Sequence, residues 1–142
     1  MIYTTLTKKA MKLCFRAHKE QEDKSGLPYV FHPFHLAEQM TDEDTTVVAL
    51  LHDVVEDSPY TFEDLEAMGY PERIIDALRL LTHDDDEPYL DYVARIKHDP
   101  IAKAVKLADL RHNSDTTRLE TVDEKALHRV EKYKAAIKLL TE

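Results

Sequence analysis

Glycine is scarce. The 142-residue chain has two, Gly26 and Gly69, and it has no tryptophan. It therefore holds no Gly-rich phosphate loop of the Walker or dinucleotide type, which excludes nucleotide sites built on backbone amides. Cysteine is limited to Cys14, so no internal disulfide can form. Cys14 falls on a helical apolar pattern and reads as a small buried hydrophobe. No apolar run approaches the roughly 18 residues of a membrane span. The start Met1-Ile2-Tyr3-Thr4 lacks the basic segment and apolar stretch of a signal peptide, and a cytoplasmic location is expected. Basic charge is outnumbered, with 19 Lys+Arg against 28 Asp+Glu and a net charge of −9. That balance argues against a broad nucleic-acid or anionic-membrane surface. A small anionic substrate remains compatible, because a bound divalent cation and a few local lysines can invert the field inside one pocket.

Strand signals are also missing, whereas helical spacing of apolar residues recurs along the whole length. The expected fold is all-α, a single domain over residues 1–142. The first helix should run from Thr5 to Gln21, with Leu6, Ala10, Leu13, Cys14 and Ala17 as its buried stripe. A loop around Gly26 and Pro28 leads to a short helix from Pro33 to Met40, proline being favoured in a first turn. A third helix spans Asp44 to Glu56, opening with acids at its positive end. Thr61 and Asp64 predict a capping-box start for a helix to Met68, closed by Gly69. Further helices are predicted from Pro71 to Leu81, Tyr89 to Lys97, Asp99-Pro100 through Leu110, and Asp123 to Leu140. The last one, with Tyr133 and Ile137 on its stripe, could dock on its own domain or on a second copy, so the oligomeric state stays open.

The stretch that demands a chemical explanation is Leu50-Leu51-His52-Asp53-Val54-Val55-Glu56-Asp57. On a continuous helix His52 lines up with Glu56, and Asp53 with Asp57. Four ionisable groups on the inner edge of an apolar helix are costly to desolvate unless a cation or one another satisfies them. Two further segments place polar residues against apolar ones: His32 before Pro33, and Asp109 within Lys106-Leu107-Ala108-Asp109-Leu110-Arg111-His112-Asn113. A set of two imidazoles and two carboxylates suits Mn, Fe, Co or Zn better than the all-oxygen shell of calcium. Remaining positions would hold water, made nucleophilic near neutral pH by the ion. Of the eight histidines, His18, His35, His83, His98 and His128 read as structural or solvated. The acidic run 84–87 reads as a solvated loop that favours the following helix start.

Three blocks carry a resemblance. They are Lys24-Ser25-Gly26-Leu27-Pro28-Tyr29-Val30-Phe31-His32-Pro33, then Ala49-Leu50-Leu51-His52-Asp53-Val54-Val55-Glu56-Asp57, then Lys106-Leu107-Ala108-Asp109 followed by His112-Asn113. In this order and spacing the chain resembles HD-domain metal-dependent phosphohydrolases, and within them the hydrolase domain of RelA/SpoT homologues and the small alarmone hydrolases. The resemblance implies a helical bundle in which His32, His52, Asp53 and Asp109 ligate one divalent metal, typically manganese. It implies that Glu56 and Asp57 act on water as base and orienting group. It further implies removal of pyrophosphate from the 3′ position of a guanosine alarmone. Lys24 and Ser25 would meet substrate phosphate, and Asn113 with Thr116 the ribose end.

Two places depart from the family pattern. Asp23 stands where an arginine usually stacks on guanine, and an acid there is expected to weaken base recognition and repel a polyphosphate. Asp109-Leu110-Arg111-His112-Asn113 moves the usual arginine by one helical position, about 100° around the axis. A different nucleotide phosphate is the alternative substrate, and a non-catalytic nucleotide- or metal-binding module the alternative class. No synthetase or regulatory module is expected within these 142 residues.

Overall fold

The computed structural model describes residues 1–142. Its architecture is helical, as expected: α1 (Thr5–His18), α2 (Phe31–Glu38), α3 (Glu43–Leu51), α4 (Val54–Asp57), α5 (Phe62–Ala67), α6 (Glu72–Leu81), α7 (Tyr89–Ile96), α8 (Pro100–Asn113) and α9 (Glu124–Thr141). One 3₁₀ turn, Thr116–Arg118, links α8 to α9.

The caps explain most boundaries. A helix start leaves backbone N–H groups without partners, and a short acceptor side chain just before it satisfies them. Thr4 and Thr7 form a capping box on α1, and Thr61 and Asp64 form the expected one on α5. Asp42, Asp99 and Asp123 cap α3, α8 and α9. Gly69 follows α5 at φ +88, a left-handed conformation that favours glycine. Helix α1 ends at His18, three residues before the expected Gln21, whose backbone and side chain instead fold back onto the last turn, on the His18 and Ala17 carbonyls and the His18 ring. Helix α2 begins two residues before Pro33. Pro33 still fits, because the amide it lacks is among those a first turn leaves unbonded anyway.

Helix α3 is the axis of the fold. All of Thr45–Leu51 is buried, and the helix packs against α1, α2, α6 and α8. A helix apolar all round belongs at the centre of the core. The expected continuous helix to Glu56 is broken, however. It ends at Leu51, and Asp53 takes φ −110, ψ 4 before α4 resumes. The break lets consecutive side chains His52 and Asp53 converge, which a regular helix would hold about 100° apart. Because α2 and α8 flank the end of α3, His32 and Asp109 reach the same point.

Candidate active site

The four proposed ligands meet at the end of α3. His32 Nε2 lies 2.9 Å from Asp109 Oδ1. His52 Nε2 lies 3.2 Å from Asp53 Oδ2 and 3.6 Å from Asp109 Oδ1. The donor atoms of His32, His52 and Asp109 all lie within 4.8 Å of one another, as do those of Asp53, Glu56 and Asp57. Asp53 thus joins a buried group to an exposed one. Glu56 and Asp57 reach solvent and do not line a buried inner edge, since the break turns α4 outward.

The donor set fits a cation. His52 Nδ1 lies 2.7 Å from the Ala49 carbonyl, which can only accept, so the ring N–H is on Nδ1. Its Nε2 is buried with no hydrogen-bond partner and faces two carboxylates. A lone pair aimed at carboxylate oxygens is repulsive unless a positive charge lies between them. Without one, the carboxylates Asp53 and Asp109 outweigh burial and push the His52 ring well above its usual range. An ion among His32, His52 and Asp109, beside Asp53, would remove the conflict.

Neighbouring side chains orient these ligands. The Tyr29 hydroxyl donates to Asp53 Oδ2. His32 Nδ1 pairs with His112 Nδ1 at 2.7 Å, the two rings lying nearly parallel and edge to edge with centroids 4.9 Å apart. Burial first, then the charges of His32, Arg118 and His35, lower His112 to about 4. It is therefore neutral and able to accept the His32 N–H. Asp109 Oδ2 accepts from Lys106 Nζ at 2.9 Å and its Oδ1 from Asn113 Nδ2 at 3.0 Å. Burial alone would raise the Asp109 carboxyl, but the Lys106 ammonium and the histidines hold it well below the usual range. Tyr29, Lys106 and His112 each lie inside a quoted motif block yet received no role from sequence. A polar side chain one helical turn from a ligand was the available signal.

Glu56 Oε1 accepts the His83 backbone N–H at 3.1 Å. Partial burial and the charge of Asp53 raise the carboxyls of both Glu56 and Asp57, the direction a general base near neutrality needs. His83, Tyr89 and Lys106 close a cavity of about 140 Å³ on the Glu56 side of His52. On the His32 side lies a cleft of about 310 Å³ containing Lys24, Ser25, Asn113, Arg118, Arg129 and Tyr133. Burial, then the charges of Arg129 and Lys132, lower the Lys24 ammonium, which marks a crowd of cations. Thr116 stands on the 3₁₀ turn outside the cleft lining, whereas its neighbours Asp115, Arg118 and Leu119 line it. In the acidic run, Asp84, Asp85 and Asp86 are exposed as expected. Glu87 is instead held by Arg95 through two bonds of 2.9 and 3.0 Å.

No family model matches the chain. Individual proteins do. Human guanosine-3′,5′-bis(diphosphate) 3′-pyrophosphohydrolase MESH1 is 34% identical over 131 residues, covering 83% of this chain and 73% of the human protein. The chain belongs to the HD-domain (p)ppGpp hydrolase family. Bifunctional (p)ppGpp synthase/hydrolase SpoT of Escherichia coli strain K12 is 46% identical over 56 residues, 37% of this chain. GTP pyrophosphokinase of Streptomyces coelicolor is 33% identical over 140 residues, 88% of this chain. These matches span 8% and 16% of the two longer relatives. A solved structure of a metazoan SpoT orthologue that hydrolyses ppGpp superposes with a TM-score of 0.76 at 25% identity, over 99% of this chain and 85% of that one. As a member of the HD-domain (p)ppGpp hydrolase family, the chain keeps the helical bundle and a His-His-Asp group able to hold a divalent metal. No helix is long and apolar enough to cross a membrane.

Proposed function

We propose that this chain is a metal-dependent 3′-pyrophosphohydrolase of (p)ppGpp, releasing pyrophosphate and leaving GDP or GTP. One observation carries the reading. His32, His52 and Asp109 converge from α2, the end of α3 and α8 beside Asp53 and two carboxylates of raised pKa, next to a cleft lined by Lys24, Arg118 and Arg129 together with Glu22, Asp23 and Asp115. Manganese is the proposed ion, held by His32, His52, Asp53 and Asp109, a mixed N/O set. When bound, it supplies Lewis-acid polarisation of water and of a phosphoryl oxygen.

The chain's own residues supply the rest. Glu56, fixed by the His83 amide, takes the proton from the attacking water as general base. Asp57, on the same turn, orients that water. Tyr29 and His112 fix the Asp53 carboxylate and the His32 ring, so the donors need not reorganise during reaction. Lys24 and Ser25 meet the substrate's phosphates, and Asn113, already tied to Asp109, meets the ribose side. Human MESH1 and the other hydrolase relatives carry names that state this reaction, which supports the choice of substrate.

The test is hydrolysis by metal-stripped protein resupplied with manganese, with ppGpp run beside nucleoside mono-, di- and triphosphates. Manganese-dependent release of pyrophosphate from ppGpp is expected. Phosphate release from another nucleotide alone would move the protein to a different substrate. Metal binding with no turnover on any of them would point to a binding module.

A further inference from the structure

Asp23 lines the cleft, yet its carboxylate is engaged by the protein on both oxygens. Its Oδ1 accepts the Ser25 amide at 2.9 Å, the Ser25 hydroxyl at 2.6 Å and the Leu27 amide at 3.1 Å. Its Oδ2 faces Arg118 Nη1 at 3.4 Å, a partner 95 residues away in sequence. Arg118 Nη2 donates to the His112 carbonyl at 3.1 Å, and its Nε is buried. The Arg118 side chain is still 24% exposed and lines the 310 Å³ cleft with Lys24, Asn113 and Tyr133.

The geometry points to Arg118 as the base-recognising residue of the cleft, its planar guanidinium held on edge by Asp23 and the His112 carbonyl so that a face is left for a nucleobase to stack on. This deepens the proposed hydrolase reading and rests on it for the identity of the nucleotide. Three facts select a flat ligand over a phosphate. One N–H on each terminal nitrogen is bonded to protein and Nε is buried, which leaves fewer edge donors for phosphate oxygens. The charge that would attract a phosphate is offset by Asp23. A guanidinium fixed by its edges keeps its faces, which stack on planar rings. The cleft's other cations, Lys24 and Arg129, remain for the phosphates. Asp23 is thus a positioning residue: it shapes the Lys24-Ser25 turn with one oxygen and orients Arg118 with the other.

Stacking recognises the plane of a base more than its identity, so Arg118 selects a nucleotide over a base-free phosphate and does not by itself select guanine. The experiment is calorimetric binding of two probes, GDP and ribose 5-phosphate, to manganese-loaded wild type, Arg118→Ala, Arg118→Lys and Asp23→Asn. Removing a stacking platform weakens binding by about tenfold or more. Both Arg118 variants should weaken GDP binding by that much and leave ribose 5-phosphate unchanged, since lysine keeps the charge and loses the plane. Asp23→Asn keeps an acceptor for the turn and loses the charge partner. It should weaken GDP binding less, and have no further effect once Arg118 is alanine.

Unchanged ribose 5-phosphate binding also shows that each variant folds. Wild-type affinity in Arg118→Lys, equal losses on both probes, or a wild type that binds neither probe would overturn the assignment. If the GDP-specific losses are found but ppGpp is not hydrolysed, the proposed reaction fails and the role of Arg118 stands.

Discussion

His52 Nε2 and Asp109 Oδ1 face each other across 3.6 Å while the other ring nitrogen is committed to the Ala49 carbonyl. Positive charge belongs between them, and a divalent ion supplies it without protonating the ring, so the folded state should be tied to such an ion. An ion at about a hundredfold above its Kd adds about 2.7 kcal/mol to stability. For a domain of this size the melting temperature should fall by roughly 8–12 °C on chelation. Calorimetry before and after verified metal removal checks this, and an unchanged transition would count against an ion at His52.

Glu56→Gln combined with Asp57→Asn should leave ion binding intact and lower kcat by about 10²–10⁴, the usual contribution of general-base catalysis. Both carboxyls have raised pKa values and act when deprotonated. The rate should therefore fall with acid at a pH higher than unperturbed carboxylates would give. An acid limb of kcat/KM that is unchanged in the double variant, or a double variant with wild-type turnover, would remove these residues from the chemistry.

Tyr29→Phe deletes one donor and little volume. Losing an outer partner of a ligand typically costs 10–100-fold in metal affinity or activity, and a loss of that size is expected here. The ion concentration needed for half-maximal activity reads it directly. If that concentration does not move, the Tyr29 hydroxyl does not orient Asp53.

His112 makes stability depend on acid. Its folded value is about 4, below the ordinary 6.5, so between these values the unfolded chain binds a proton that the folded chain refuses. Stability from this group is fully present above about pH 6.5 and is lost as pH falls towards about 4. Denaturant titrations of wild type and His112→Phe should diverge in slope across that window, the variant being flatter. Parallel curves would show that His112 does not titrate as described.

Asp23→Arg should weaken nucleotide binding. Three bonds to Asp23 Oδ1 hold the Lys24-Ser25 turn, and a new guanidinium would repel Arg118. An arginine there is thus expected to raise KM for ppGpp by about tenfold or more, since losing even one charge-assisted bond of about 1.5–3 kcal/mol corresponds to that factor. A lowered KM would restore the view of Asp23 as a mere defect in base recognition.

The helices were legible because their signals are local. Thr61 with Asp64, Asp99 before Pro100, and Asp123 announce starts that need only neighbouring residues. His32, His52, Asp53 and Asp109 were legible as a group because ionisable residues inside apolar helices are costly without a cation. The break at His52-Asp53 was hidden, since the apolar run on either side reads as one helix and no glycine or proline marks the interruption. The pairing of Asp23 with Arg118 was out of reach for another reason. It links residues brought together by the whole fold, and neither one's neighbours hint at the other. The same holds for His112, whose contact with His32 depends on how α8 crosses α2.

The end of α3 also decides which nitrogen of His52 is free. In an unbroken helix the Ala49 carbonyl would accept the amide of residue 53; here it accepts the imidazole. The ring takes up the acceptor that the interrupted helix leaves without its amide, and that bond sets the ring's orientation. A substitution that straightened α3 into α4 could leave every donor side chain in the sequence and still present the wrong nitrogen to the ion. The backbone at Asp53 therefore belongs to the chemistry as much as the side chains do.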